Sequence, residues 1–347
     1  MEFYATLGKA CDDKKILREM FQYGMTGIRL NSAHESLSEA SLQIGRVFKA
    51  AEAEGVTADL LIDLQGPELR VGDVKKPILL KEGKSVKLGS EKGDIPMPQL
   101  ALDLLYPGQE VLIDDSRLKL RTERIIQTEG DDGVHTRSAT CEVIRGGVLY
   151  SRKNISVTDR SADLPTLTAH DKAQLKLLKQ YGVTGVMQSF VRGAGDIQLL
   201  KQELQKNDAE DIKVFAKIEC KAGYEHIGEI TELCDAVVIA RGDLGNAFPL
   251  WELPKVQKEI AQVCRRLDKP FIIATELLHS MEHVAIPTRA EVSDIYNAVL
   301  DGASGLMLTG ETAIGEYPVR SMRFLTKTAN TALMMNDPKV KELLDLP

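Results

Sequence analysis

Short β-branched and aliphatic runs alternate with amphipathic helical stretches through most of the chain. An apolar run at Phe3–Leu7 precedes a helical pattern over 13–23, a strand over Thr26–Asn31, a helix over Glu35–Ala53 and a strand over Asp59–Leu64. Within the second helix Leu37, Ala40, Leu42, Ile44 and Val47 form a loosely periodic apolar face, the spacing that lets a helix bury one side. The alternation then stops. From Val71 to Asp159 the runs EVLIDD, LKLRTERII, ATCEVI and GVLYS are separated by Gly, Pro and Asp. Their period-two patterning predicts half-buried strands and no long helix. From Thr168 the first pattern returns, with helices over 168–180, 193–206, 222–229, 253–267, 288–300 and 318–332. Strands are predicted between them over 183–188, 212–217, 235–239, 271–274 and 305–309.

Eight βα units interrupted once predict an α/β fold: a (β/α)8 TIM barrel with a small β-barrel-like domain inserted after the third strand. The expected divisions are a first barrel segment over 1–70, an inserted β lid over 71–159, and a second barrel segment with a C-terminal tail over 160–347. An open doubly wound sheet is the competing topology, and no GxGxxG fingerprint follows the first strand to support it.

Composition narrows the partners. The 347 residues carry 44 Lys and Arg against 51 Asp and Glu, a net charge of −7. That balance argues against a nucleic-acid partner or a polybasic membrane anchor. No run approaches the ~18 consecutive apolar residues of a membrane span, and the opening MEFYATLGKACDDKK lacks a secretory apolar core. The five cysteines are widely spaced without a CxxC pair, which predicts reduced thiols in a cytoplasmic protein.

In such barrels the reactive groups stand where strands end. Strand two ends in Arg29 and Asn31, strand three in Asp63, strand four near Ser189 and Arg192, and strand five in Lys217 and Glu219. Strand six ends in Arg241-Gly242-Asp243, strand seven in Thr275, and strand eight in Thr309-Gly310-Glu311. Charges scattered on a solvated rim would have no reason to track the strand ends, so a shared site is the reading. Glu219 and Asp243 are hard oxygen ligands suited to Mg²⁺ or Mn²⁺. Arg29, Lys217 and Arg70 suit a phosphorylated, carboxylate-bearing small-molecule substrate. The inventory points to metal-assisted phosphoryl or enolate chemistry. His279 and His283 have metal-ligand spacing but no HExxH, and are expected at the surface. Trp251 is expected to pack. Neither a nucleophile elbow nor a Walker A loop occurs.

The segments GMTGIRLNSAH, LIDLQGPELR, GGVLYSRKNIS, LPTLTAHD, QSFVR, AKIE, VIARGDLG and TRAEVSDIYNAVLDGASGLMLTGETAIGEYP together closely resemble the pyruvate kinase family over residues 3 to about 332. The resemblance implies phosphoryl transfer from phosphoenolpyruvate to a nucleoside diphosphate (ADP, giving ATP) with Mg²⁺ or Mn²⁺, followed by protonation of enolpyruvate. Lys217 then corresponds to the lysine that stabilises the transferring group, Glu219 and Asp243 to the divalent-ion ligands, and Arg29 to the phosphate contact. Thr275 corresponds to the threonine at the enolate face, and Gly242 and Asp243 to the turn that grips the substrate carboxylate. Arg70, Lys153 and His34 correspond to nucleotide-side residues, with Asn31 beside them, and Asn31 and Asp63 to ligands of potassium.

The family pattern is altered in places. Ala33 stands where a serine normally helps bind potassium, and Leu64, Gln65 and Val71 resemble the potassium-independent form, which usually has a lysine where this chain keeps Glu68. A potassium requirement is therefore doubtful. Lys9 and Glu276 replace a proline and a glutamine of the family pattern. The chain ends where the family usually continues into a regulatory domain, so a shortened form is expected, as a homodimer through the barrel. Two alternatives stand beside phosphoryl transfer: a Mg²⁺-dependent enzyme acting on pyruvate enolate or another phosphorylated acid, and a non-catalytic binding or regulatory homologue.

Overall fold

A computed structural model describes residues 1–89, 95–114, 116–129, 135–157 and 164–336. Eight parallel strands, numbered in chain order, close into a barrel: β1 Glu2–Thr6, β2 Gly27–Asn31, β3 Asp59–Asp63, β4 Gly185–Gln188, β5 Lys213–Ile218, β6 Ala236–Ala240, β7 Phe271–Ala274 and β8 Gly305–Met307. β4, β6, β7 and β8 are buried along their whole length, as strands covered on both faces must be. Tyr4, Leu61, Met187, Phe215, Val238, Ile272 and Met307 fill the interior as one apolar cluster. The barrel predicted from the sequence is the one observed, and the second compact unit is inserted between β3 and β4.

Helix starts are written in local chemistry. Asp13 caps Lys14–Gln22, its carboxylate accepting from the N–H of Lys15 at 2.8 Å. Thr168 and Thr288 each form a reciprocal capping box, with Asp171 and Glu291. Proline opens Leu253–Arg266 and Pro318–Leu333, where a missing N–H costs nothing.

Three predicted helices differ from those observed. The helix expected from Glu35 begins only at Ser41. Ser36 turns back on the Glu39 carboxylate through its N–H and hydroxyl, at 2.8 and 2.6 Å, and Gln174 accepts the Leu37 N–H at 2.8 Å. These bonds satisfy the chain in a turn. The helix over 168–180 is two pieces, Ala169–Leu175 and Leu178–Tyr181, and the one over 222–229 is Lys221–Glu225 and Ile227–Leu233. Trp251 does not pack: it is 83% exposed. Of the predicted C-terminal tail, Met334–Asn336 is a single 3₁₀ turn and residues 337–347 lie outside the described residues.

The second compact unit comprises Pro67–Pro165 together with Gly245–Pro249. The expected lid boundary at Asp159 lies outside the described residues. A seven-stranded sheet runs in the order Leu69–Arg70, Asn154–Val157, Glu110–Ile113, Leu118–Glu129, His135–Arg145, Ser85–Gly89, Ile95–Pro96, beside a two-stranded pair of Ile78–Leu80 with Gly147–Leu149. Val111, Ile113, Leu118, Leu120, Ala139 and Val143 belong to its own apolar core. A short helix, Gln99–Asp103, packs here through Ala101 and Leu102. No helix among the described residues is long and apolar enough to cross a membrane.

Candidate active site at the strand ends

Side chains two apart on a strand face the same way. Tyr4, Leu61, Met187 and Phe215 belong to the interior cluster, and the residues two further on are Thr6, Asp63, Ser189 and Lys217. The apolar filling of the barrel is thus topped by a polar layer at the strand ends. Lys217 Nζ donates to Ser189 Oγ at 2.9 Å and meets Asp63 Oδ1 at 3.0 Å and Glu219 Oε1 at 2.9 Å, so each ammonium proton has an oxygen. Arg29 closes the other side: its Nε donates to Asp63 Oδ2 at 2.8 Å, and its Nη1 to Thr6 Oγ1 at 3.1 Å. Glu219 Oε2 accepts the backbone N–H of Phe190 at 2.8 Å. Two cations and two carboxylates alternate as Arg29, Asp63, Lys217 and Glu219, with no net formal charge.

Burial sets the electrostatics. Burial alone pushes the Asp63 carboxyl up, but the charges of Lys217 and Arg29 outweigh it and hold the group below the usual carboxylate range. Burial pulls Lys217 down, and Asp63 and Glu219 overcome that and hold the ammonium above the ordinary lysine value. Lys217 is therefore a cation at every physiological pH, not a proton acceptor.

A second constellation lies at the next strand ends. Gly242 N–H donates to Thr275 Oγ1 at 2.7 Å, and that hydroxyl donates to Ala274 O at 2.5 Å. β6 and β7 pair with Ala240 opposite Ala274, which brings the two turns together. Asp243 follows in the first turn of the helix Arg241–Ala247 and is half-buried. Phe190, Thr275 and Glu276 have positive φ values of 52°, 74° and 54°. Bulky or β-branched residues rarely adopt these, and such outliers concentrate at working sites. Gly66, at φ +60°, lies where a Cβ would stand 2.9 Å from that of Ser189, so the chain leaving β3 can pass the polar layer only as glycine.

Other predicted residues are placed differently. Asn31 pairs with Asp63 in the β2–β3 register, but its Oδ1 accepts the Ala33 N–H at 3.1 Å, and the adjacent Asp63 carboxylate is taken up by two cations. His34 is exposed. Arg70 and Lys153 lie in the second unit, Arg70 on the strand Leu69–Arg70 and Lys153 just before its neighbour Asn154–Val157; Arg70 pairs with Glu68 at 2.8 Å and Lys153 with Asp114 at 2.7 Å. The negative charge of Glu68 thus has a cation of its own.

Some strand-end polar residues serve the framework instead. Glu311 is buried and accepts the N–H groups of Leu278 and Thr309, at 2.9 and 2.8 Å. Arg192 is tied to Asp196 at 2.9 Å. His279 and His283 are exposed, as expected, and face Glu282 and Glu316 separately. All five cysteines are free thiols. Thr6 was missed: the strand-end rule applied to the first strand would have found it. Asp294, which meets Arg241 Nη1 at 2.7 Å, carries no local signal because it sits on a distant helix.

The donor set fits a hard divalent ion. Glu219 and Asp243 are carboxylates, and Mg²⁺ is commonly held by one or two of these with substrate oxygens and water completing the shell. Among the described residues no group of three or more His, Cys, Asp and Glu side chains is arranged to hold a metal ion.

Residues 2–322 match the family model described as "Pyruvate kinase, barrel domain". The chain is 37% identical over 333 residues to a pyruvate kinase of Aeropyrum pernix, covering 96% of this chain and 70% of that protein. It is 35% identical over 332 residues to a pyruvate kinase of Geobacillus stearothermophilus, covering 93% of this chain and 55% of the relative. For a pyruvate kinase of Mycobacterium tuberculosis the identity is 36% over 330 residues, covering 93% of this chain and 68% of that protein. The chain is shorter than each of these relatives.

Proposed function

The chain belongs to the pyruvate kinase family, and from that membership we propose that it transfers the phosphoryl group of phosphoenolpyruvate to a nucleoside diphosphate. The observation that carries the proposal is the buried alternation of Arg29, Asp63, Lys217 and Glu219 at the strand ends. Phosphoryl transfer needs fixed positive charge where negative charge redistributes, and little else from the protein. Lys217, held protonated by its two carboxylates, supplies such a charge for the transferring group. Arg29 commits Nε, Nη1 and one further N–H to Asp63 and Thr6. A guanidinium has five donors, so the remainder suit the phosphate of the incoming substrate.

Glu219 and Asp243 would hold Mg²⁺ or Mn²⁺. When bound, such an ion supplies Lewis-acid neutralisation of phosphoryl charge. Thr275 and Gly242, now bonded to each other, exchange that bond for the substrate carboxylate and leave the Thr275 hydroxyl at the enolate face, where the proton reaches C3. Arg70, Lys153, His34 and Asn31 are assigned to the nucleotide, ADP as acceptor and ATP as product. Asp63 is assigned to the ion-paired network ahead of a potassium site, because both of its oxygens already meet cations. Glycolytic small-molecule substrates, a cytoplasmic location and a homodimer through the barrel complete the proposal.

The test is a chromatographic assay with phosphoenolpyruvate, Mg²⁺ and a panel of nucleoside diphosphates. Formation of a nucleoside triphosphate and pyruvate in equal amounts supports the reading. Conversion of phosphoenolpyruvate that is independent of every diphosphate would replace it with another reaction of the same acid.

A further inference from the structure

Arg241 divides its guanidinium between two targets. Nε and Nη2 both donate to the carbonyl oxygen of Thr275, at 3.2 and 2.7 Å, and Nη1 donates to Asp294 Oδ2 at 2.7 Å. The arginine side chain is 10% exposed and the aspartate 34%. What Arg241 grips is the strained segment: Thr275 and Glu276 are consecutive non-glycine residues at φ +74° and +54°. A β-branched residue in that region crowds its own backbone, and such a conformation persists only where the surroundings over-determine it. Two hydrogen bonds from one rigid fork to one carbonyl fix the peptide plane between Thr275 and Glu276. Asp294, on the helix Arg289–Leu300, fixes the fork in turn. The residue after Arg241 is Gly242, whose N–H meets the Thr275 hydroxyl. The same turn therefore holds both ends of Thr275, its carbonyl through a side chain and its hydroxyl through the backbone.

We propose that Arg241 and Asp294 are positioning residues that hold Thr275–Glu276 in the left-handed conformation, so that the Thr275 hydroxyl is presented to the enolate rather than turned away. This rests on the role given to Thr275 above. Lysine cannot substitute for Arg241, because a single ammonium cannot make both the two-pronged contact with the carbonyl and the contact with Asp294. Neither residue needs to touch the substrate. Their effect passes through one hydroxyl, which makes the idea separable from a general loss of structure.

The experiment is a double-mutant cycle with three readouts: kcat and KM for phosphoenolpyruvate, the rate at which the protein with Mg²⁺ exchanges the C3 hydrogens of pyruvate for deuterium, and hydrogen exchange of the 275–278 amides. Asp294→Ala should lower C3 exchange about tenfold, a loss of one decade of transition-state stabilisation, with KM within twofold. Asp294→Asn, which keeps an acceptor, should lose less, and Arg241→Lys should lose at least as much as Asp294→Ala. In a Thr275→Ala background Asp294→Ala should cost nothing further. Full additivity of the two losses, or C3 exchange unchanged in Asp294→Ala, would overturn the proposal. Should the wild type neither exchange pyruvate hydrogens nor transfer phosphoryl groups, the reading of the site fails separately. The amide measurement then still decides the positioning claim: faster exchange at 275–278 in Asp294→Ala and Asp294→Asn supports it, and unchanged exchange refutes it.

Discussion

Lys217 is the residue on which the charge balance of the strand-end site depends, and replacing it by methionine tests that balance. The ammonium meets Asp63 at 3.0 Å and Glu219 at 2.9 Å, and both carboxylates are buried. At an effective dielectric of about 20, each such contact is worth roughly 5.5 kcal/mol before desolvation. Removing the lysine also removes its own desolvation penalty. The net cost follows the rule for breaking a buried pair, about 3–5 kcal/mol, because two buried carboxylates are then left sharing Arg29. The double variant Lys217→Met with Glu219→Gln returns the site to one cation and one anion, Arg29 with Asp63. It should recover to within about 1–2 kcal/mol of the wild type. The assay is urea unfolding followed by circular dichroism, with the activity of each variant measured at a temperature where it is folded. Both variants should be inactive in phosphoryl transfer, so stability and catalysis separate. A single variant that loses less than about 1 kcal/mol, or a double variant less stable than the single one, would refute the electrostatic account.

Asp243→Asn and Glu219→Gln should each weaken Mn²⁺ binding at least tenfold, about 1.4 kcal/mol, as read by electron paramagnetic resonance in the presence of phosphoenolpyruvate; unchanged affinity would place the ion elsewhere. Potassium should change the initial rate by less than about threefold at constant ionic strength, since Asp63 is already bracketed by two cations and a tenfold rise would mean about 1.4 kcal/mol of stabilisation from the ion. The pH dependence has a definite sign. Asp63 is held below its unfolded value, so its contribution to stability is present above about pH 4 and is lost as the pH falls through the depressed value. Lys217 is held above its unfolded value, so its contribution is present below about pH 10 and is lost as the pH rises through the raised value. The stability gap between wild type and Asp63→Asn, measured by chemical denaturation, should be flat from about pH 5 to 9 and shrink in acid; a gap that closes near neutrality would contradict this.

The barrel was legible because strands such as β6 and β7 are apolar along their length and helices carry their own caps, Thr168 and Thr288 among them. The strand-end rule also led to Arg29, Asp63, Lys217 and Glu219, which the structure joins in one network. The same rule could not tell a site residue from a framework residue. Glu311 stands at a strand end like Glu219, yet it is spent on backbone N–H groups of Leu278 and Thr309. Nothing in the local pattern around Ser36 announces that its turn with Glu39 postpones a helix, because the deciding bond to Gln174 comes from 137 residues away. The left-handed backbone at Thr275 and Glu276 was invisible for the opposite reason: glycine is the usual marker of such a conformation, and neither residue is glycine. Its support, Asp294, lies 53 residues from Arg241.

The proposed chemistry is the movement of a phosphoryl group between two small molecules at this strand-end site. Phosphorus NMR of the purified protein with phosphoenolpyruvate and ADP, with and without Mg²⁺, tests it most directly. The phosphoenolpyruvate signal should fall as the γ-phosphate of ATP rises one for one, only with the divalent ion and not in Lys217→Met. An unchanged phosphoenolpyruvate signal, or its loss with release of inorganic phosphate alone, would contradict it.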